Sequence, residues 1–290
     1  LEGVQVRAPS RARRPRIDPT PFLLITPAQL LLVALILLPT IYVGWLSLHR
    51  ATFGTDPAFV GLANWQALLG DRVKNTFFVV LAVVYGELAL GLSLALLASG
   101  WMPGKKIFIA LLIAPYAINE VSAVTMWRYV LEPDIGMVSW TLVQLGIGQL
   151  DWSADPNDAL ALAALLGIWT HTPFTFLGVP AELQEAARVD GAGAWSVFRH
   201  VTLPFILPAM LVAVMFRTIT AMRIFSEIWL LTEGGPARMT EVLAVYLYRA
   251  AFRYHEFGVA SATALAMVVL SLLIALPYLA VAWRRTVARG

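Results

Sequence analysis

QEAARVDGAGAWSVFRHVTLP, running from Gln184 to Pro204, is a polar interruption in a chain that is otherwise apolar. A hydrophobic run from Ala159 to Val179 precedes it, and another from Pro204 to Leu231 follows it. Each is about the ~20 residues that a helix rising 1.5 Å per residue needs to cross a bilayer. The stretch therefore reads as a loop at a membrane face. Within it, PAELQEAARVDGA begins with Pro180 at a helix start, puts Glu182 and Glu185 in the early turns where the helix dipole favours anions, and stops at Gly191. GAWSVFRHVT then carries Trp195, Phe198 and Val201 at spacing three, a small amphipathic face before Pro204. The expectation is two short helices joined by a glycine turn. The alanines at 186 and 187 leave the first one thin, so that another protein can approach closely.

Working outward, the composition agrees. The 290 residues are 59% hydrophobic and 13% charged, where soluble domains run nearer to about a quarter charged. Six apolar runs emerge: Phe22 to Leu48, Thr76 to Ala98, Ile107 to Leu131, Ala159 to Val179, Pro204 to Leu231 and Gly258 to Trp283. Residues 1–21 form a basic tail, 22–283 one membrane domain with its loop at 180–203, and 284–290 a second basic tail. Ten Trp and eight Tyr suit a protein that meets two headgroup layers. The basic start followed by a long apolar run is read as an uncleaved first span rather than a secretory leader.

Lys and Arg set the orientation, because they are retained on the cytoplasmic side. One side holds Arg7, Arg11, Arg13, Arg14, Arg16, Lys105, Lys106, Arg188, Arg199, Arg284, Arg285 and Arg289; the other holds half as many, Arg50, Arg72, Lys74, Arg238, Arg249 and Arg253. Both termini and the Gln184–Pro204 loop are expected in the cytoplasm. The loop from Glu132 to Asp158 is acidic, without a basic residue, and is expected outside, holding a short surface helix.

Several chemistries are excluded. Cysteine is absent, which removes disulfides, thiolate metal sites and cysteine nucleophiles. The nearest approach to a nucleotide-binding loop, SGWMPGKK, has Ser99 in place of the first glycine and Lys106 in place of Ser/Thr. His255-Glu256 lacks the second histidine of a helical zinc site. The chain is expected to be no enzyme and to bind no metal, and no nucleic-acid partner is expected. Charges inside the runs are Glu87, Glu120, Arg128, Arg217, Arg223 and Glu227. A charge at a helix centre costs roughly 2.5 to 3.5 kcal/mol on insertion scales, so such groups face a partner or a watery path. Arg217, Thr220, Ile224 and Glu227 follow helical spacing on one stripe, and Arg223 and Glu227, four apart, are placed to pair. Purely structural ion pairing is the competing reading of the same residues.

Glu185-Ala186-Ala187, Asp190-Gly191-Ala192 and Leu203-Pro204, eleven residues on, resemble the EAA loop of bacterial ABC importer permeases. GLANWQALL (Gly61 to Leu69), Pro115 to Leu131, EPDIGMVSW and LLTEGGPARMTEVLAVYLYRAAFRYHEFGVASA (Leu230 to Ala262) resemble the carbohydrate-uptake branch, which serves maltose, trehalose, other oligosaccharides and glycerol 3-phosphate. The resemblance implies an all-α polytopic fold of the type I importer class, with six transmembrane helices and a cytoplasmic coupling helix, in a bacterial inner membrane. It implies the first permease of a heterodimer, an ATPase dimer carrying ATP and Mg, an extracytoplasmic sugar-binding protein, and no cofactor on this chain. Glu185, Ala186, Ala187, Asp190 and Gly191 are then the coupling residues. Arg217, Thr220, Arg223 and Glu227, with Thr170 and Phe174 from the fourth span, are the candidates for the substrate path, since a sugar in a membrane cavity needs hydrogen-bonding groups and rings to stack on. Two departures from the family pattern stand out: about two helical turns are missing between Pro173-Phe174 and Pro180, and the loop after Asp71 is short. The rival from another class is a stand-alone secondary transporter or channel with Glu87, Glu120 and Glu227 as proton carriers.

Overall fold

A computed structural model describes residues 20–99, 102–148, 150–175, 185, 187, 189 and 191–287, with side chains from 24 to 281. By internal contacts the chain divides into two units, Leu1–Val43 and Gly44–Gly290. The first contributes most of helix α1 (Thr20–Ser47), 28 residues with Pro27 and Pro39 inside it. At 1.5 Å per residue this is about 42 Å, more than the ~30 Å hydrocarbon thickness. Every side chain from Leu24 to Tyr42 is exposed. A helix that is apolar all round suits an environment of lipid or another subunit.

Among its described residues the second unit consists of helices, their connecting loops and a two-stranded antiparallel ribbon, β1 (His49–Arg50) and β2 (Ala58–Phe59), which hydropathy does not signal. Buried Asn64 in the short helix α2 (Ala63–Gln66) anchors the ribbon by donating to the carbonyls of Ser47 and His49, both at 2.9 Å. The long helices are α3 (Asp71–Ser99), α7 (Pro156–Thr175), α9 (Leu203–Ala221) and α12 (Phe257–Val287). Shorter ones are α4 (Lys105–Ala117), α5 (Glu120–Val130), α6 (Met137–Gln144), α8 (Ala194–Val197), α10 (Ser226–Thr232) and α11 (Leu243–Tyr248). The external helix expected between Glu132 and Asp158 is α6, tied down where Ser139 and Trp152 both donate to the Leu131 carbonyl.

Among the described residues, four helices are long and apolar enough to cross a membrane: Leu24–Ser47, Asp71–Ser99, Ala194–Ala221 and Phe257–Val281. A fifth is added if the bent pair α4 and α5 counts as one span. The third apolar run is therefore not one straight helix. It turns through 100° at Ile118–Asn119, where Pro115 weakens the last turn of α4 and Asn119 caps α5 by accepting from the amides of Val121 and Ser122. The fifth run is also broken. α9 stops at Ala221 and α10 starts at Ser226, with Met222 fully buried in the gap. The fourth run lies on α7, which carries Asn157, Asp158, His171 and three threonines from 170 to 175 and is too polar to pass as a lipid-facing span. One face of it packs inward, where Ala163, Leu166 and Thr175 are buried, while Leu165 and Phe174 are exposed.

α3 is the central helix because two of its faces are covered. Val79 and Val83 join Leu162, Leu166 and Ile228 in one core, while Val80 and Val84, each one position on, join Val214 and Met222 in a second. The i, i+4 spacing that aligns Val79 with Val83 continues through Glu87 and Gly91, all buried. At Gly91 the α3 and α7 backbones nearly touch: a Cβ there would lie 2.9 Å from the Thr175 carbonyl group. The Thr175 hydroxyl seals this contact by donating to the Glu87 carbonyl at 2.8 Å.

Gly91→Leu is accordingly expected to destabilise the protein by at least about 1–3 kcal/mol, as overpacking does in a close-packed interior. A thermal melt of the detergent-purified protein should show a clear fall in midpoint. An unchanged midpoint would mean that the α3–α7 approach is not held as described.

Candidate functional site

Two places collect the residues singled out by sequence. At the first, residues 185, 187 and 189 are helical and Glu185 is exposed. Gly191 follows with φ +82°, and the Ala192 amide donates to the Ala187 carbonyl at 3.1 Å. A bond of that span around a left-handed residue is the closure known as the Schellman motif, and glycine is the residue that takes it without a Cβ penalty. The glycine stop read from the sequence is therefore present. Ala186, Asp190 and the stretch 176–184 that holds Val179, Pro180 and Glu182 lie outside the described residues.

The second short helix is not separate. From Ala194 the chain runs helically to Ala221 as one 28-residue element. Between α8 and α9 it passes through a wide π turn, Phe198–Thr202, in which Leu203 donates to Phe198. Pro204 has no amide proton for an ordinary α-helical bond, and the wider turn accommodates this without ending the helix. The face built on Trp195, Phe198 and Val201 does not form the buried side: Trp195 is largely exposed and stacks loosely on Phe198, whereas Val197 and Thr202 are buried.

The second place lies between α3 and α9. Arg217 is buried and grips Glu87 with both ends of its guanidinium, Nε to Oε2 and Nη2 to Oε1, each at 2.6 Å. Its remaining nitrogen, Nη1, donates to the Thr220 hydroxyl at 2.9 Å. Glu87 is wholly inaccessible. A forked pair with both carboxylate oxygens occupied is the arrangement that makes an intramembrane arginine tolerable. The sequence marks Glu87 as an intramembrane charge in need of a partner and as a proton carrier of the rival reading, but does not pair it with Arg217. The signal was there, in the four-residue spacing that puts Glu87 in line with Val79 and Val83.

The remaining candidates separate. Arg223 and Glu227 do not form the expected pair, and the stripe from Arg217 to Glu227 is not continuous, because the helix ends between them and the four-residue register is lost. Arg223 is exposed and borders an apolar groove of about 420 Å³ with Ile219, Leu247, Val268 and Leu272. Glu227 is buried at the start of α10, and its Oε2 has no hydrogen-bond partner among the described residues. The charged groups acting on it are Glu120, in the first turn of α5, and Arg217. Both helix breaks thus bring a first-turn carboxyl to one spot. Thr170 is buried on α7, and Phe174 is exposed further along it. A third buried carboxylate carries no signal in the sequence: Glu241, inaccessible, receives Arg72 at 2.7 Å and Arg249 at 3.3 Å. Among the described residues no group of three or more His, Asp or Glu is arranged to hold a metal ion.

No family model matches the chain. Individual proteins do. The trehalose/maltose transport system permease protein of Thermococcus litoralis is 32% identical over 276 residues, covering 90% of this chain and 92% of that one. The sulfoquinovosyl glycerol transport system permease protein of Agrobacterium fabrum is 34% identical over 272 residues, covering 89% and 88%. Among solved structures, a bacterial alginate ABC transporter in complex with an alginate pentasaccharide-bound periplasmic protein superposes with a TM-score of 0.74 at 20% identity, over 89% of this chain and 92% of that one.

Breaking the Glu87–Arg217 pair from one side should leave a buried charge uncompensated. Glu87→Gln and Arg217→Gln are each expected to cost about 3–5 kcal/mol, while a double apolar replacement, Glu87→Leu with Arg217→Met, recovers much of that loss. A double-mutant cycle on melting midpoints reads the coupling directly, and additive losses would contradict the pairing.

Proposed function

Because the chain belongs to the permease subunits of sugar ABC transporters, we propose that it forms half of an alternating-access path whose movement is driven through the Gln184–Pro204 loop. It is the membrane subunit of an ATP-driven sugar importer and not itself an enzyme. ATP and Mg belong to a partner ATPase dimer. The other partners in this reading are a second, homologous permease and an extracytoplasmic sugar-binding protein, and the periplasmic protein seated on the alginate transporter supports the latter by analogy. Six spans are the count adopted here, with α4–α5 and α9–α10 as broken ones, in an inner membrane with both termini in the cytoplasm.

The observation that carries the coupling role is the closed helix end at Gly191. An exposed helical stub bearing Glu185, shut by a left-handed glycine, joins a 28-residue helix that leads directly to Arg217. Glu185 anchors on the ATPase, Ala186 and Ala187 allow close approach, and Gly191, which follows Asp190 of the motif, supplies the turn. Rigid elements joined at a tight hinge transmit displacement rather than absorb it. Substrate is expected to pass the polar groups around the two helix breaks: Arg217, Thr220, Glu227 and Thr170, with Arg223 and Phe174 at its margins. A stand-alone proton-driven carrier is less well supported, since Glu87 is held by Arg217 on both oxygens.

Affinity purification from the native membrane should bring down a second permease and an ATPase, and uptake in proteoliposomes should require ATP. A chain that purifies alone and moves sugar on a proton gradient would reverse this reading.

Gly191→Val is expected to lower uptake at least tenfold while the protein inserts normally, because a β-branched residue resists φ +82°. Transport assays normalised to membrane abundance test it. Normal uptake would remove the coupling assignment.

A further inference from the structure

The segment joining α10 to α11 is held in a costly shape. Glu233, Ala237 and Arg238 all have left-handed backbones, with φ of 54°, 47° and 67°. Side chains with a Cβ pay roughly 1–2 kcal/mol for that conformation, so it persists only where the surroundings impose it. Here they do. Thr232 and Thr240 join their hydroxyls at 3.1 Å, Thr240 donates to the Gly235 carbonyl at 2.6 Å, and Arg249 donates to the Glu233 carbonyl at 2.5 Å.

This fixed loop walls a cavity of about 490 Å³, within the range of ~300–1,000 Å³ that small-molecule sites occupy. Three arginines line it, Arg128, Arg238 and Arg249, against a single carboxylate, Glu233; Ser153 and Thr232 add hydroxyls. Arg249 reaches Glu241, which it shares with Arg72. Arg128 and Arg238 are not paired in this way: neither has a carboxylate within 4.0 Å among the described residues. Both are nevertheless positioned, Arg128 by donating to the Leu230 carbonyl at 2.9 Å and lying over Trp152, and Arg238 by donating to the Tyr254 hydroxyl. Two oriented guanidinium groups without counter-ions, facing a concave polar space, are built to receive an anion. The cavity lies beyond the far end of the helix that starts at the Gln184–Pro204 loop, on the face where the importer reading puts arriving sugar.

We propose that this cavity binds an acidic saccharide, the two arginines taking its carboxylate and Ser153, Thr232 and Glu233 its ring hydroxyls. The proposal rests on the importer reading and adds a substrate class to it. The probes are glucuronate and galacturonate against glucose and galactose, offered to the purified complex in zwitterionic nanodiscs and followed by saturation-transfer NMR. Both uronates are expected to bind at least tenfold more tightly than their neutral counterparts, to weaken as KCl is raised, and to lose that preference in Arg128→Gln/Arg238→Gln. The Arg128→Lys/Arg238→Lys pair should retain part of it. Co-elution with the ATPase checks that each variant assembles, and the wild-type comparison stands even if one does not. The proposal is overturned if the wild type does not prefer uronates, or if the preference survives the glutamine pair. It is equally overturned if the glutamine pair weakens docking of the extracytoplasmic binding protein while leaving uronate binding as it was, which would make this a protein-docking face. An ATPase that copurifies keeps the importer reading standing in each of these cases.

Discussion

An arginine in the middle of a membrane helix has to be answered by something, and here the answer is Glu87. The two guanidinium–carboxylate bonds, both at 2.6 Å, tie α9 to α3 where both groups are buried. Much else is arranged around that requirement. α3 must pass close enough to α9 for the fork to close, and Gly91, one turn on from Glu87, must let α7 approach α3 at Thr175. Hydrophobic packing supplies bulk on both faces of α3, but it is non-directional and would tolerate a rotated helix. The ion pair does not, because its geometry holds only for one rotation of each helix about its axis.

The same pair connects the loop to the bundle interior. α8, the π turn and α9 run without interruption from Ala194, three residues after Gly191, so a displacement passed on from the glycine turn reaches Arg217 along one helical element. Beyond Arg217 the element ends, and the chain restarts at α10 with Glu227 buried beside the first turn of α5. Two broken helices therefore meet where charge is concentrated. Irregular backbone at membrane depth is tolerated where protein or a water-lined cavity surrounds it, and in transporters such breaks are where binding groups collect.

The fold was largely legible, and unevenly so for physical reasons. Runs of about 20 apolar residues announce membrane helices because the bilayer sets a length. The α4–α5 bend had local markers in Pro115 and Asn119 and was nevertheless read through as one span, since hydropathy alone does not register a change of direction. The α9–α10 break had no proline or glycine to mark it; Met222 is buried there by its neighbours, which no local pattern encodes. At the loop, Gly191 was readable because a helix stop is a short-range property. The supposed second helix was misjudged because Pro204 looked like a start, when a π turn carried the helix straight through it.

By itself the sequence determined the membrane class, the positions of the apolar segments, the glycine stop and the family, all of which follow from composition, local backbone preference or motif spacing. The tertiary structure alone decided which charges neutralise which. Arg217 and Glu87 are 130 residues apart, and Arg72 and Glu241 are 169 apart. The plausible local pair, Arg223 with Glu227, is absent because α9 ends at Ala221 and α10 starts at Ser226, so Arg223 lies in the break and no single helix aligns the two. Electrostatic pairing depends on distance through space. Once a helix breaks, sequence separation no longer measures it.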